Sequence, residues 1–217
     1  MDAISSQARR LMDDFNAQGL ANTAWAFSRL ILADYPLFEA IAAKSMTIID
    51  VFQPQNLTNI AWAWATLEVI AMPLLQAIAA ASIANIGAFG AQNLSNTSWA
   101  FACLRVSHEP LLEAIASAAS PSIGQLDPQS IANIAWACAR CCLNDRTLLT
   151  ALSAPALRTI AQFADQNLTN TAWAFSPLGV IDSQPLMDAI ASASLRPISQ
   201  FDSQHLGNTA WAFATLL

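Results

Sequence analysis

Apolar positions in this chain follow a helical rule that restarts at regular intervals. In residues 54–67, "PQNLTNIAWAWATL", Leu57, Ile60, Ala61, Trp64 and Leu67 recur at steps of three and four and draw one apolar stripe. In the segment before it Leu37, Phe38, Ile41, Ile48 and Ile49 draw a second stripe, opened by Pro36. Each pattern predicts an amphipathic helix, and neither helix can bury its stripe alone. Close copies of the first pattern start at Ala17, Pro54, Ala91, Pro128, Asp165 and Ser203. Their tryptophans are Trp25, Trp62, Trp99, Trp136, Trp173 and Trp211, spaced by 37 residues four times and by 38 once. Copies of the second pattern, such as "MPLLQAIAAASIANIGAF" and "EPLLEAIASAASPSIGQL", lie between them. A fixed period in the range of about 20–50 residues marks a solenoid, so the predicted fold is all-α: an αα solenoid of tandem helical hairpins with a 37–38-residue period.

The array is expected to occupy residues 1–217 as one body, in units of about 1–31, 32–68, 69–105, 106–142, 143–179 and 180–217. Asp127-Pro128 marks one helix start, because an Asp caps free N–H groups and a Pro at the first helical position costs nothing. Pro121, Pro155 and Pro197 fall in the second half of the first helix and predict a kink or break there. The residue added in "GVIDSQPL", relative to "RVSHEPL", should enlarge one loop between units five and six without breaking the stack. The chain starts inside a repeat and stops at the apolar "WAFATLL". It is therefore expected to be a segment of a longer array or to associate end to end, since solenoids use polar caps.

The residues outside the stripes are candidates for function. Gln55, Asn59, Ala63 and Thr66 fall roughly opposite Leu57. The Asn position is filled in every copy, by Asn22, Asn59, Asn96, Asn133, Asn170 and Asn208, and each is followed four residues later by alanine. Next comes a position that varies: Arg29, Thr66, Cys103, Arg140, Pro177 and Thr215. Constant polar, constant small and variable side chains in a row suit a surface that reads a ligand, with Asn22, Asn59, Asn96, Asn133, Asn170, Asn208, Arg29, Thr66, Arg140 and Thr215 as its candidate contacts. The box helix is taken to line that surface. A second reading is open: a recurring mid-helix Asn can bond the next repeat's backbone. Trp62 lies nearer Asn59 than Leu57 by helical angle. The tryptophans can pack against the next repeat with the indole N–H bonded, or stack on bases.

Composition narrows the function further. With 55% hydrophobic and 11% charged residues, the chain fits a packed, alanine-rich array. The uncharged stretch between Glu68 and Arg105 contains Pro73, Gln76, Asn85, Gln92, Asn93 and Asn96 and keeps the repeat register, which argues against a membrane span. Cys138 and Cys141 occupy the positions of Phe27 and Leu30, so "CARCC" reads as core substitution rather than a metal pair; His108 and His205 lack partner spacing. No disulfide framework is implied. No phosphate loop, nucleophile elbow or unexplained carboxylate pair is present, so an enzyme, a cofactor and a metal are all unexpected. Glu39, Glu113 and Asp188 share one position near a helix start, where the macrodipole favours acids.

The repeated "PQNLTNIAWAWATL" and "QNLTNTAWAFSPL", following "PLLEAIA", resemble the octotricopeptide repeat of organelle RNA-binding proteins in algae and related protists. The resemblance spans essentially the whole chain; the Pro-Gln-x-Leu-x-Asn-x-x-Trp-Ala core maps onto Pro54, Gln55, Leu57, Asn59, Trp62 and Ala63. It implies single-stranded RNA binding in chloroplast or mitochondrial transcript stability, processing or translation. Charge pulls the other way, since nine Lys plus Arg against fifteen Asp plus Glu leave a net −6. Arg10, Arg158 and Arg196 share one repeat position and Arg29 and Arg140 another, enough for weak RNA binding with steep salt dependence. At one base per repeat the chain would cover about six nucleotides. The other class is an armadillo-like scaffold for a protein or basic peptide. Arginines, and no acids, on the Asn stripe favour RNA.

Overall fold

The computed structural model describes residues 1–141, 146–176 and 184–215. Within them every element is helical. The first helices of the hairpins are α1 (Asp2–Arg10), α3 (Tyr35–Thr47), α5 (Met72–Ala84), α7 (Glu109–Ala119), α9 (Arg146–Thr159) and α11 (Gln184–Ser194). The box helices are α2 (Ala17–Arg29), α4 (Pro54–Thr66), α6 (Ala91–Cys103), α8 (Pro128–Arg140), α10 (Asp165–Phe175) and α12 (Ser203–Ala214). The chain divides into two compact units, Met1–Phe89 and Gly90–Leu217. In the first, α2 and α4 pack side by side and α1, α3 and α5 form a second row. In the second, α6, α8, α10 and α12 lie side by side in that order, with α7, α9 and α11 behind them. The αα-hairpin solenoid read from the period is the fold.

Each hairpin turns in the same way. The first helix stops, a short 3-10 turn follows, and an extended apolar residue (Phe52, Phe89, Leu126, Phe163 or Phe201) is buried before the box helix starts. This break occurs at Thr47 and Ala84 without any proline nearby. Pro155 lies inside a continuous α9, so it does not break its helix. The predicted proline breaks thus misplace the cause: the turn belongs to the repeat, and Pro121 only lengthens one 3-10 segment to Ser120–Gln125. Ile48 and Ile49 lie in this turn and are half-buried, so the first-helix stripe is completed by buried Ala42 and Ser45 instead. The loop with the added residue, and Pro177 and Cys142, lie outside the described residues.

Caps account for several recurring polar residues. The carboxylate of Asp127 accepts from the Ser130 N–H at 3.0 Å, as its sequence position predicts. In three other boxes the Asn before the apolar Leu bends back: Asn56 Oδ1 accepts from Gln53 N–H, Asn93 from Gly90 and Asn167 from Ala164. Three box helices end with a residue at positive φ, Ile31, Glu68 and Arg105, in Schellman geometry. At Glu68, for example, Glu68 N–H donates to Ala65 O and Val69 N–H to Trp64 O.

Packing between hairpins rests on small side chains. Ala63, Ala137, Ala174 and Ala212 are fully buried, whereas the equivalent Ala26 of the first box is exposed. The constant alanine therefore faces the preceding hairpin, where a larger side chain would hold the helices apart. Leu20, Leu57, Ile131 and Leu168 are buried at the position where Leu206 of the last box is 46% exposed, so this position faces the following hairpin. Among the described residues no helix is long and apolar enough to cross a membrane.

Candidate nucleic-acid interface

At about 100° per residue, Gln55, Trp62 and Thr66 fall within ~40° of one another on α4, and Asn59 lies ~40° from Gln55. Ala63 is rotated farther, toward the preceding hairpin, and is buried. The row read from the sequence is therefore interrupted by a neighbouring helix. What reaches solvent is a face of Gln, Asn, Trp and the variable position. Gln18, Gln55, Gln92, Gln129, Gln166 and Gln204 are all exposed, one turn before the Asn positions. This glutamine column was missing from the candidates, although its occupation in all six boxes was a sufficient signal.

In the first unit the N-terminal halves of α2 and α4 enclose a groove of about 430 Å³. Gln18, Asn22, Gln55 and Asn59 line it together with the capping Asn16 and Asn56, and no charged side chain contributes. Each amide offers two donors and one acceptor oxygen, the complement of a base edge. Among the described residues none of Asn22, Asn59, Asn96, Asn133, Asn170 and Asn208 makes a side-chain hydrogen bond. Asn133 is at the edge of burial, Asn22 is exposed and the others are half-buried. A bond to the next repeat's backbone is therefore not what these amides make; the hydroxyls of the layer do the bridging instead, as with Ser130 to Ser95 at 3.2 Å and Thr169 to Thr209 at 3.3 Å.

In the second unit three tryptophans form a ladder on this same face. The rings of Trp136 and Trp173 are 6.5 Å apart, and those of Trp173 and Trp211 are 6.0 Å apart and stacked at 28°. Trp25 is 45% and Trp211 46% exposed, with the others half-buried between hairpins. They pack from repeat to repeat as the structural reading expects. The expected indole bond is not formed by Trp136, Trp173 or Trp211 among the described residues, because these rings keep an edge in water.

The profile of the RNA-editing substrate-binding complex 6 protein family matches residues 1–146 and again residues 86–217. Together the two placements cover every repeat. The chain belongs to the RNA-editing substrate-binding complex 6 protein family. Overlapping placements of one profile are what a register of near-identical hairpins produces. No curated protein matches the chain.

In this member of the RNA-editing substrate-binding complex 6 family the variable position is the last residue of α2, α4, α6 and α8 and directly follows α12. Arg29 lies over the Trp25 ring, its guanidinium carbon 5.9 Å from the centroid, a cation–π arrangement that keeps the charge on the face. Arg140 occupies the same position in α8 and is half-buried. Thr66 and Thr215 donate their hydroxyl protons to Trp62 O and Ala212 O, both at 2.9 Å, which leaves their oxygens free as acceptors. The structure brings Gln, Asn and Trp together in each box; the variable residues lie two turns from the Asn, past the buried alanine.

Three of the remaining cations, Arg158, Lys44 and Arg196, lie elsewhere. Arg158 donates to Gly124 O at 3.4 Å and Lys44 to Asp13 O at 3.0 Å, each tying a first helix to the turn of the preceding hairpin. Arg196 lines a separate cleft with Asp165. The second arginine column therefore belongs to the back row and adds no charge to the Asn face. His108 caps α7 by accepting the Leu111 N–H, and His205 accepts the Asp202 N–H at the start of α12. Cys138 is buried in the aromatic position of the core, as its register predicts. Among the described residues no three His, Cys, Asp or Glu side chains gather as a metal site.

Proposed function

We propose that the chain is an RNA-binding module, not an enzyme, that holds single-stranded RNA along the Gln, Asn and Trp face of its box helices. The observation that carries this reading is that, among the described residues, the six repeated Asn amides make no side-chain hydrogen bond, with a partly exposed tryptophan ladder on the same face of the second unit. Amides select base edges and rings accept stacked bases, so the face can be sequence-dependent without a strong charge. Membership in a family named for an RNA-editing substrate-binding complex supports RNA as the ligand. The octotricopeptide resemblance supports a role in organellar transcript stability, processing or translation. Of chloroplast and mitochondrion, the second is favoured, since RNA-editing complexes are mitochondrial.

With Arg29 and Arg140 as the two cations assigned to the face, the salt dependence should be shallow rather than steep: a log–log slope of about −1.4 for two neutralised phosphates on a single strand. Fluorescence anisotropy with a pool of short single-stranded RNAs at two salt concentrations tests this. The Arg29→Ala, Arg140→Ala variant should bind more weakly at low salt and lose most of that slope. An unchanged slope would move the phosphate contacts elsewhere, and no binding at low salt would leave the protein-scaffold reading, which the net charge of −6 favours.

A further inference from the structure

A cavity of about 440 Å³ opens in the first unit at the C-terminal end of α4, away from the amide groove at its N-terminal end. Phe38 and Trp64 close its floor, their rings 4.7 Å apart and both buried. Tyr35 and Ile70, each 60% exposed, form its lips. Its charged lining is Glu39 and Glu68, and neither carboxylate has an ion-pair partner among the described residues.

Glu68 sits just past the last turn of α4 at φ 55°, a conformation unfavourable for a side chain with a Cβ. Its negative charge thus adds to the negative end of the helix dipole instead of opposing it. Carboxylates are usually placed at the other end of a helix, so this arrangement raises the local negative potential at the expense of the helix.

The same junction in the other hairpins lacks these features. The Glu39 and Glu68 pair becomes Asp2 and Ile31, Gln76 and Arg105, Glu113 and Cys142, Thr150 and Gly179, or Asp188 and Leu217, so no other hairpin has an acid at both positions. Tyr35 is replaced by Met72, Glu109, Arg146 or Gln184. The acid at Glu39 follows the repeat, whereas the aromatic lip Tyr35 and the acid Glu68 depart from it, and the two acids meet over an aromatic floor only at this junction.

We infer that this cavity is a docking site for an arginine side chain of a protein partner, distinct from the RNA face. The aliphatic stem enters between Tyr35 and Ile70 over the aromatic floor. The guanidinium meets Glu39 and Glu68 at the rim and lies against the Tyr35 ring. Charge complementarity supplies the selectivity: an acidic chain with an acid-rimmed apolar cavity accepts a cation with an apolar stem and rejects a neutral or anionic one.

The test uses the full chain, isotopically labelled, titrated with the capped tripeptide Leu-Arg-Leu and with its citrulline counterpart, a neutral isostere of nearly the same shape. Backbone amide shifts at residues 68–71 are followed. The arginine peptide should shift them saturably and bind at least about tenfold more tightly than the citrulline peptide, the size of one charge-assisted contact. In the Glu39→Gln, Glu68→Gln variant, whose exposed substitutions leave the core intact, the two peptides should bind equally. Equal binding of both peptides to the unaltered chain, shifts that map outside residues 35–71, or no saturable shift would each overturn the inference.

Discussion

Replacing Trp136, Trp173 and Trp211 together by leucine is expected to weaken binding of short single-stranded RNA by about a hundredfold or more. Base–aromatic stacking contributes about 1–3 kcal/mol per base, and two or three lost platforms account for that range. The geometry suits the task. A base between two parallel rings needs about 6.8 Å, twice the 3.4 Å spacing of stacked bases; the ladder's ring centroids are 6.5 and 6.0 Å apart with the planes inclined at 44° and 28°, so the rings must also turn toward parallel. A small opening of each gap would admit a base while the Gln and Asn amides reach its edge. Leucine keeps apolar volume between the hairpins and removes only the π face, so circular dichroism should show an unchanged helical content. Anisotropy equal to that of the parent chain would remove the ladder from the ligand face and return it to packing alone.

The largest effect on stability is expected from Trp64→Ala. Trp64 is 1% exposed and packs on Phe38, joining the box helix α4 to α3. Deleting a buried ring of this size costs about 3–5 kcal/mol, a large part of the roughly 5–15 kcal/mol that holds a typical domain together. Because hairpins in a solenoid are stabilised by their neighbours, the loss should be local. Urea unfolding followed by far-ultraviolet circular dichroism should split into two transitions, with the segment Met1–Phe89 melting first. A single transition at an unchanged midpoint would mean that the neighbours of Trp64 collapse into the gap. Cys138, buried at the equivalent position of α8, shows that the repeat can accommodate a smaller side chain where the surrounding residues have adjusted to it.

Register alone explains why the core was legible. Leu57, Ile60, Ala61 and Trp64 are buried as the stripe requires, and the Asp127 cap forms where the sequence places it. These are local properties, fixed by 3.6 residues per turn and by the free N–H groups of a helix start. The first-helix stripe was less legible, since Ile48 and Ile49 continue a spacing that the chain abandons at the 3-10 turn. Periodicity does not register a change of helix type.

The two asparagines of "QNLTN" show where reading by position ends. Both recur, both are polar and both lie in the first turns of the box helix. Asn56 caps its own helix, whereas Asn59 is left to solvent and shares a groove with Gln18, Asn22 and Gln55. Backbone geometry at the helix start decides the first, and the approach of a helix 37 residues away decides the second.

By itself, then, the sequence determined the hairpin, its period, its buried stripe and the alanines that allow close approach, because burial and helix geometry act over a few residues. Only the tertiary structure decided that the constant alanine is covered by the preceding hairpin and that the tryptophans align as a ladder. It also decided that the Arg158 column serves the back row, and that Glu39 and Glu68 rim one cavity. Each of these depends on the distance between side chains on different helices, which is set by how neighbouring hairpins pack and not by any pattern along one of them.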